Sequence, residues 1–199
     1  MMVWSGKRSR ILWVIPALLL VLAAAGPSAF GKTWGPATAI KPGFDKPSEL
    51  DRIFKDLAKA ENEPLSRVIA DKLWLTWMMA PDEESAELLN RALRARGGYS
   101  FDRALGFLDQ LIERHPDYPE AWNQRSYIHF LKENYPQSVK DCARALELEP
   151  RHIGCLSGMA RIFIRHFKDY ERGRFMLEQA MDLHPWIYER VLLKELPKP

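Results

Sequence analysis

A spacing of 34 residues recurs through the second half of the chain and limits its fold more than any other feature. Three prolines, Pro116, Pro150 and Pro185, follow apolar stretches at intervals of 34 and 35 residues. Bulky and small residues repeat in the same register: Leu88, Trp122 and Leu156; Ala92, Ser126 and Ala160; Ala104, Ser138 and Gly173; Leu108, Cys142 and Leu177; Leu111, Ala145 and Ala180. The third unit contains one extra residue, which the pattern places in the turn around Phe167–Asp169. A period of this length predicts a supersecondary unit that stacks on copies of itself.

These residues resemble the tetratricopeptide repeat. In that family a Trp or Leu is followed four positions later by a small residue, then by a small residue in mid-unit and by Ala and Pro near the end. The best match is the second unit, from Pro119 to Pro150, and the resemblance covers about half of the chain. Arg91 and Arg125 depart from the family pattern, which favours Leu, and so does Cys142, where it favours a large residue. The departures weaken single contacts and leave the assignment intact.

The resemblance implies an all-α fold, an α-solenoid in which each unit is a hairpin of two antiparallel helices. We predict three hairpins, at residues 85–118, 119–152 and 153–186. Small side chains let the paired helices approach closely, and one hairpin cannot bury its apolar face alone, so about three must stack. A proline ends the second helix because it cannot continue a helix interior.

Two flanking segments extend the predicted array. Residues 48–84 predict a helical pair that serves as a degenerate repeat or cap, with a capping-box variant at Ser48 and Asp51 and a break at Asn62–Pro64. Residues 187–199 predict a capping helix and tail, which would cover the apolar end of the third unit. Residues 32–47 contain Gly and Pro with little periodicity and predict a flexible leader.

The N-terminus has the pattern of a signal peptide, which we place at residues 1–31. Basic residues precede an uncharged apolar run, Ile11–Ala25, and small residues follow it. The alternative is an uncleaved anchor, but the run is shorter than the roughly 20 residues that a spanning helix needs. We therefore expect an exported, periplasmic protein; the alternative is an inner-membrane-anchored one, in contact with the membrane only through this segment.

The charge of the chain argues against a nucleic-acid partner. Residues 1–31 hold three basic and no acidic residues, and the rest of the chain has as many Lys and Arg as its 26 Asp and Glu. The formal net charge of +3 therefore belongs to the predicted signal. Binding to phosphates depends on an excess of positive charge, which this balance does not supply.

No residue pattern indicates catalysis, a metal or a cofactor. The five histidines lack the spacings of metal sites, so we predict no metal ligands and no cofactor. Cys142 and Cys155 occupy repeat positions that favour packing as small apolar residues, although a disulfide in an exported protein stays open. Neither cysteine has a paired base nearby in sequence, so we predict no catalytic residue and no enzyme activity.

The resemblance also implies a groove for a partner, lined by the first helix of each unit. The positions it indicates are Leu89, Leu93 and Arg96 in the first unit, Asn123, Tyr127 and Phe130 in the second, and Ser157, Arg161 and Arg165 in the third. Apolar members would form a trough, Asn123 would bond a peptide backbone, and the arginines of the third unit would bind a carboxylate. The opposing interpretation is that the N-terminal helices cover the leucines and that the arginines only solubilise the surface. Leu89 and Leu93 stand where the carboxylate clamp of chaperone-binding members needs polar groups, which disfavours a chaperone-tail receptor.

The sequence thus favours a scaffold or adaptor of the bacterial envelope that binds another protein or a peptide segment. The order of its parts also resembles that of small exported repeat proteins of Gram-negative bacteria. Two alternatives stay open: a membrane-tethered assembly subunit, and a catalytic or non-catalytic subunit of an envelope enzyme. The sequence does not specify the partner or the oligomeric state.

Overall fold

The computed structural model describes residues 37–39 and 45–197. The predicted signal peptide, most of the predicted leader and the last two residues lie outside this part. In chain order the elements are β1 (Thr38–Ala39), α1 (Lys46–Ala58), α2 (Glu63–Trp77), β2 (Met79–Ala80), α3 (Glu83–Gly97), α4 (Phe101–Arg114), α5 (Pro119–Leu131), α6 (Tyr135–Leu148), α7 (Ile153–Ile162), a π-helical turn (Phe163–Phe167), α8 (Tyr170–Leu183) and a 3-10 helix (Tyr188–Glu195). The predicted all-α fold class is confirmed. Among the described helices, none has the length and apolar character that a bilayer crossing requires.

Consecutive helices form three hairpins, α3 with α4, α5 with α6 and α7 with α8, and contacts of α4 with α5 and of α6 with α7 join them into a stack. The small residues of the repeat lie where the paired helices approach. The Ser126 hydroxyl lies 2.9 Å from the Ser138 carbonyl oxygen across the second hairpin. In the third hairpin, a Cβ added to Gly173 would lie 2.5 Å from Cγ1 of Ile164. Larger side chains at these places would separate the helices.

Four of the helices, α1, α2, α3 and α8, begin after a side chain that accepts a hydrogen bond from a first-turn amide. The Asn62 side chain accepts from the Leu65 amide at 3.0 Å before α2, and Asp82 accepts from the Ser85 amide at 2.8 Å before α3. Such caps satisfy amide groups that have no partner inside the helix. Helix α1 begins at Lys46 with Asp45 as its N-cap, so Ser48, the predicted capping residue, lies within the first turn.

The turn between the two helices of each hairpin contains one non-glycine residue with a left-handed backbone. These residues are Tyr99, Glu133 and Lys168, with φ angles of 57°, 57° and 55°. In the second hairpin the Asn134 amide donates to the His129 carbonyl, five residues back, at 2.8 Å. In the third, the Asp169 amide donates to the Phe163 carbonyl, six residues back, at 2.9 Å. The extra residue of the third unit is therefore absorbed in the π-helical turn at the end of α7, just before the predicted turn.

The N-terminal pair α1–α2 packs mainly against the third hairpin. Trp74 and Trp77 share one core cluster with Leu156 of α7 and with Ala180 of α8. The chain allows this approach at Gly154, where an added Cβ would lie 2.4 Å from Cη2 of Trp74. Helix α2 therefore reaches from the start of the first hairpin to the last one, bringing residues distant in sequence together.

Residues 37–39 lie inside the predicted leader and are attached to the first hairpin. Strand β1 pairs in parallel with β2, Thr38 opposite Met79 and Ala39 opposite Ala80. The Ala37 amide donates to Asn90 Oδ1 at 2.8 Å, and Asn90 Nδ2 donates to the Ala37 carbonyl at 3.0 Å. The Asn90 side chain thus makes hydrogen bonds with both the amide and the carbonyl of Ala37. Local sequence patterns do not reveal this contact.

The segment after the third hairpin forms a 3-10 helix, where the sequence predicted a helix that caps the array. Leu192 and Leu196 are buried in a cluster with Ala160, Ile164 and Leu177 of the third hairpin. The segment therefore covers apolar surface at this end of the stack, as a terminal cap is expected to do.

Candidate partner-binding surface

The N-terminal part of helix α7 is covered by the protein itself. Trp77 of α2 stacks on His152 with ring centroids 4.2 Å apart and planes at 10°. All of Ile153–Ala160 is buried. The start of α7 is therefore covered by α2 and is not open to a partner.

Three of the predicted groove residues lie in the interior. Leu89 belongs to the core of the first hairpin and has no exposed surface. Asn123 is 4% exposed; its amide nitrogen lies 3.2 and 3.3 Å from the two carboxylate oxygens of Glu120. Ser157 is fully buried and donates to the Gly154 carbonyl at 3.4 Å. The expectation that Asn123 bonds a peptide backbone is wrong, because its side chain is buried and makes hydrogen bonds within the fold.

A buried polar network holds the covered half together. The Glu120 carboxylate, completely buried, accepts from Gln124 Nε2 at 2.5 Å and lies 3.0 Å from His152 Nε2. Gln124 in turn accepts from Arg96 Nη1 at 2.6 Å. A buried carboxylate costs free energy unless it is bonded on several sides. Here Gln124 of α5 and His152, the N-cap of α7, contact it directly, and Arg96 of α3 contacts Gln124.

The C-terminal halves of the same helices form a surface of alternating arginines and aromatic rings. Arg96 lies over the Tyr127 ring with its Cζ 5.2 Å from the centroid, and Tyr127 stacks on Phe130 at 6.4 Å. Arg161 in turn lies over the Phe130 ring, with its Cζ 5.9 Å from the ring centroid. These four residues come from α3, α5 and α7, so the contact chain crosses all three repeats. Leu93, the other predicted member in the first unit, is partly buried beside the core of the first hairpin.

Two rings that sequence reasoning missed extend this surface. The Tyr135 and His166 rings stack at 3.8 Å, and the Phe130 ring lies 5.8 Å from Tyr135 and 6.1 Å from His166. We call the set Arg96, Tyr127, Phe130, Tyr135, Arg161 and His166 the arginine–aromatic surface. Desolvation lowers the pKa of His166; the Glu133 charge opposes the shift, and the charges of Lys168, Arg165 and Arg161 add to it. His166 thus adds a fourth ring to the surface, after Tyr127, Phe130 and Tyr135.

The two predicted carboxylate-binding arginines are held by acidic residues of this chain. Arg161 Nη2 lies 2.7 Å from Glu189 Oε1, and Arg165 Nε donates to Glu195 Oε2 at 2.9 Å. Both glutamates belong to the C-terminal 3-10 helix. That these arginines bind a carboxylate of a partner stays a prediction.

Comparison with known proteins identifies relatives of the chain, although no family model matches it. Over 136 residues it is 33% identical to a TPR repeat-containing protein of Rhizobium etli, an alignment that covers 68% of this chain and 66% of the relative. The chain belongs to the tetratricopeptide repeat family. A DnaJ protein of Oryza sativa subsp. japonica is 32% identical over 69 residues, 35% of this chain and 14% of that protein. The matches thus span just under two thirds of the first relative and a small part of the second.

In this tetratricopeptide repeat protein both cysteines are free and buried. The Cys155 thiol lies 3.4 Å from Asn123 Oδ1, and Cys142 Sγ lies 3.0 Å from the Ser126 hydroxyl. Burial raises the pKa of Cys155 well above its ordinary value, which keeps the thiol protonated and unreactive. Within the described residues, no three His, Cys, Asp or Glu side chains are placed to hold a metal ion.

The turns between the paired helices place the two rings that sequence reasoning missed. Tyr135 is the first residue of α6, next to the left-handed turn at Glu133. His166 reaches it because the extra residue of the third unit forms the π-helical turn Phe163–Phe167. The insertion thus lies beside His166 at one edge of the surface, and the 34-residue period alone does not show this contact with Tyr135.

Proposed function

We propose that this protein is a non-catalytic adaptor that captures a segment of a partner protein on the arginine–aromatic surface. A role in protein–protein interaction follows from its family. The observation that carries the finer proposal is the unbroken series of contacts from Arg96 through Tyr127 and Phe130 to Arg161. Rigid aromatic rings and arginines dominate the energetics of many interfaces, because they contribute large contact area and directional polar bonds.

The chemistry of the surface defines the segment it suits. The aromatic faces favour aliphatic or aromatic side chains, and the guanidinium groups at both ends favour carboxylates. Desolvation lowers the pKa of Arg96 while Tyr127 and Glu120 oppose the shift, so the cation is partly shielded from water. A shielded cation interacts more strongly with a carboxylate than an exposed one. A short acidic and apolar segment of the partner would therefore fit.

Site-specific photo-crosslinking in cells tests this function. A photoreactive phenylalanine analogue replaces Tyr127 on the surface and, in a matched control, Tyr99, which is 83% exposed and lies on the turn after α3. We expect a discrete crosslinked protein from position 127 that is absent from position 99. The same products from both positions, or none from position 127, would remove the proposed surface.

We further propose that the protein acts in the bacterial envelope after export. The support is the charged, apolar and small-residue order of residues 1–31, which lie outside the described part of the chain. Mass spectrometry of the protein purified from an envelope fraction measures its first residue. A mature N-terminus near residue 32 supports export with cleavage, whereas an intact Met1 in the membrane fraction supports the tethered alternative.

A further inference from the structure

Segment 186–197 packs on the third hairpin through alternating apolar and acidic residues. It also contacts the N-terminal helix pair, since Trp186 donates to the Ala60 carbonyl and Arg190 to Glu63, both at 3.0 Å. Ile187, Leu192 and Leu196 are buried, while Tyr188, Val191 and Leu193 are exposed. Between the buried residues lie Glu189 and Glu195, the partners of Arg161 and Arg165. The segment therefore packs leucine side chains against apolar surface at the end of the third hairpin and places carboxylates against the arginines beside it.

The contact between Glu189 and Arg161 lies inside this interface and is incomplete. The exposed fraction of the side chain is 1% for Glu189 and 17% for Arg161. Within the described residues, Glu189 Oε2 and Arg161 Nε are buried and have no hydrogen-bond partner. Burial of Glu189 raises the pKa of its carboxyl above the ordinary value. Unsatisfied polar atoms weaken docking, so a ligand that satisfied them would compete well for this place.

The arginines that hold the segment also belong to the partner surface. The Arg161 guanidinium lies over Phe130, so one side of it faces the arginine–aromatic surface and the other faces Glu189. Arg165 follows one helical turn later, at an exposed edge. The third-repeat end of the surface is therefore occupied by the protein's own acidic side chains.

We propose that segment 186–197 is an internal ligand, and that the partner displaces it with a segment of the same chemistry. This inference rests on the proposed function and specifies its partner: an acidic segment with two carboxylates about six residues apart and a leucine between them. The spacing is that of Glu189 and Glu195, and the leucine corresponds to Leu192. In the absence of a partner the segment is docked for most of the time. The apparent affinity for a partner then equals the intrinsic affinity multiplied by the fraction of molecules in which the segment is undocked.

A peptide added in trans tests the proposal with the full chain. The probe is a fluorescent peptide with the sequence of residues 186–197, and its control carries glutamine in place of both glutamates. The variant Glu189→Gln plus Glu195→Gln weakens the internal ligand, and Glu171→Gln plus Glu178→Gln on the exposed face of α8 is the matched control. Fluorescence anisotropy measures peptide affinity, and hydrogen exchange of residues 188–196 measures undocking.

We expect the acidic peptide to bind the Glu189/Glu195 variant about tenfold or more tightly than the wild type or the α8 control. Amide exchange in residues 188–196 should rise in the same variant, and the glutamine peptide should bind poorly to all forms. Equal affinity for all three proteins, absence of binding, or equal binding of both peptides would overturn the proposal. A partner crosslinked at position 127 together with one of these negative results would leave the adaptor function standing and remove only the internal ligand.

Discussion

Trp77 lies flat against His152, with ring centroids 4.2 Å apart, and so fastens the N-terminal helix pair to the start of the third repeat. Trp77 is 1% exposed, and its carbonyl accepts a hydrogen bond from the Tyr118 hydroxyl at 2.7 Å. Residues 75 positions apart in the chain thus share one contact. The stability of the array therefore depends on a helix that precedes the repeats.

Trp77→Ala should lower the free energy of unfolding by about 3–5 kcal/mol, since it removes a buried aromatic side chain and leaves a cavity. Leu75→Ala, two residues earlier on the same helix and 50% exposed, is the matched control and should cost far less. Urea denaturation followed by circular dichroism measures both. Similar losses for the two variants would show that α2 does not pack on the third repeat through Trp77.

Gly154→Ala should destabilise the protein by about 1–3 kcal/mol through overpacking. The new Cβ would lie 2.4 Å from Trp74 Cη2 and 3.3 Å from Asn123 Oδ1. Gly106→Ala in the interior of α4 is the control, because a Cβ there meets nothing within 4 Å. The control should gain about 0.5–1 kcal/mol from helix propensity. Thermal melting should therefore move in opposite directions for the two substitutions.

Glu133→Gly should stabilise the second hairpin by about 0.5–1 kcal/mol, because glycine adopts the left-handed backbone at φ 57° without the cost of a Cβ. Lys140→Gly, at an exposed position inside α6, should instead cost about 1 kcal/mol. The measurement is the melting temperature of both variants. A loss at position 133 as large as that at position 140 would contradict the turn geometry.

Arg161→Ala should cost about 3 kcal/mol at neutral pH, because Glu189 is left as a buried carboxylate without its partner. Arg165→Ala removes a more exposed ion pair with Glu195 and should cost at most about 1 kcal/mol. Denaturant midpoints at pH 7.5 compare the two variants.

The loss from Arg161→Ala should become smaller as the pH falls. Burial raises the folded-state pKa of Glu189 above its ordinary value of 4.5, and removal of Arg161 removes a charge that lowers it. The folded variant therefore takes up a proton at a higher pH than the unfolded chain, and its stability increases as the pH falls towards 4.5. A loss that does not change between pH 7.5 and 4.5 would exclude the buried carboxylate as its cause.

The 34-residue period was sufficient to predict the all-α fold, because the positions it specifies are local to each hairpin. Ser126 opposite Ser138 and Gly173 opposite Ile164 lie within one unit, and the small side chain is itself the reason for the close approach. Of the candidate site, the sequence indicated Arg96, Tyr127, Phe130 and Arg161, which the structure brings into one contact chain. Their use by a partner stays a prediction.

Tertiary structure alone decided which part of that surface is open. Helix α2 covers the start of α7 because Gly154 leaves space for Trp74, and segment 186–197 engages Arg161 and Arg165 from beyond the last repeat. Both contacts join residues that are far apart in sequence or lie outside the repeats, so no period records them. A repeat pattern specifies how neighbouring helices pack. Which of the remaining helix faces become covered depends on whether the flanking segments have apolar surface and charges that complement them.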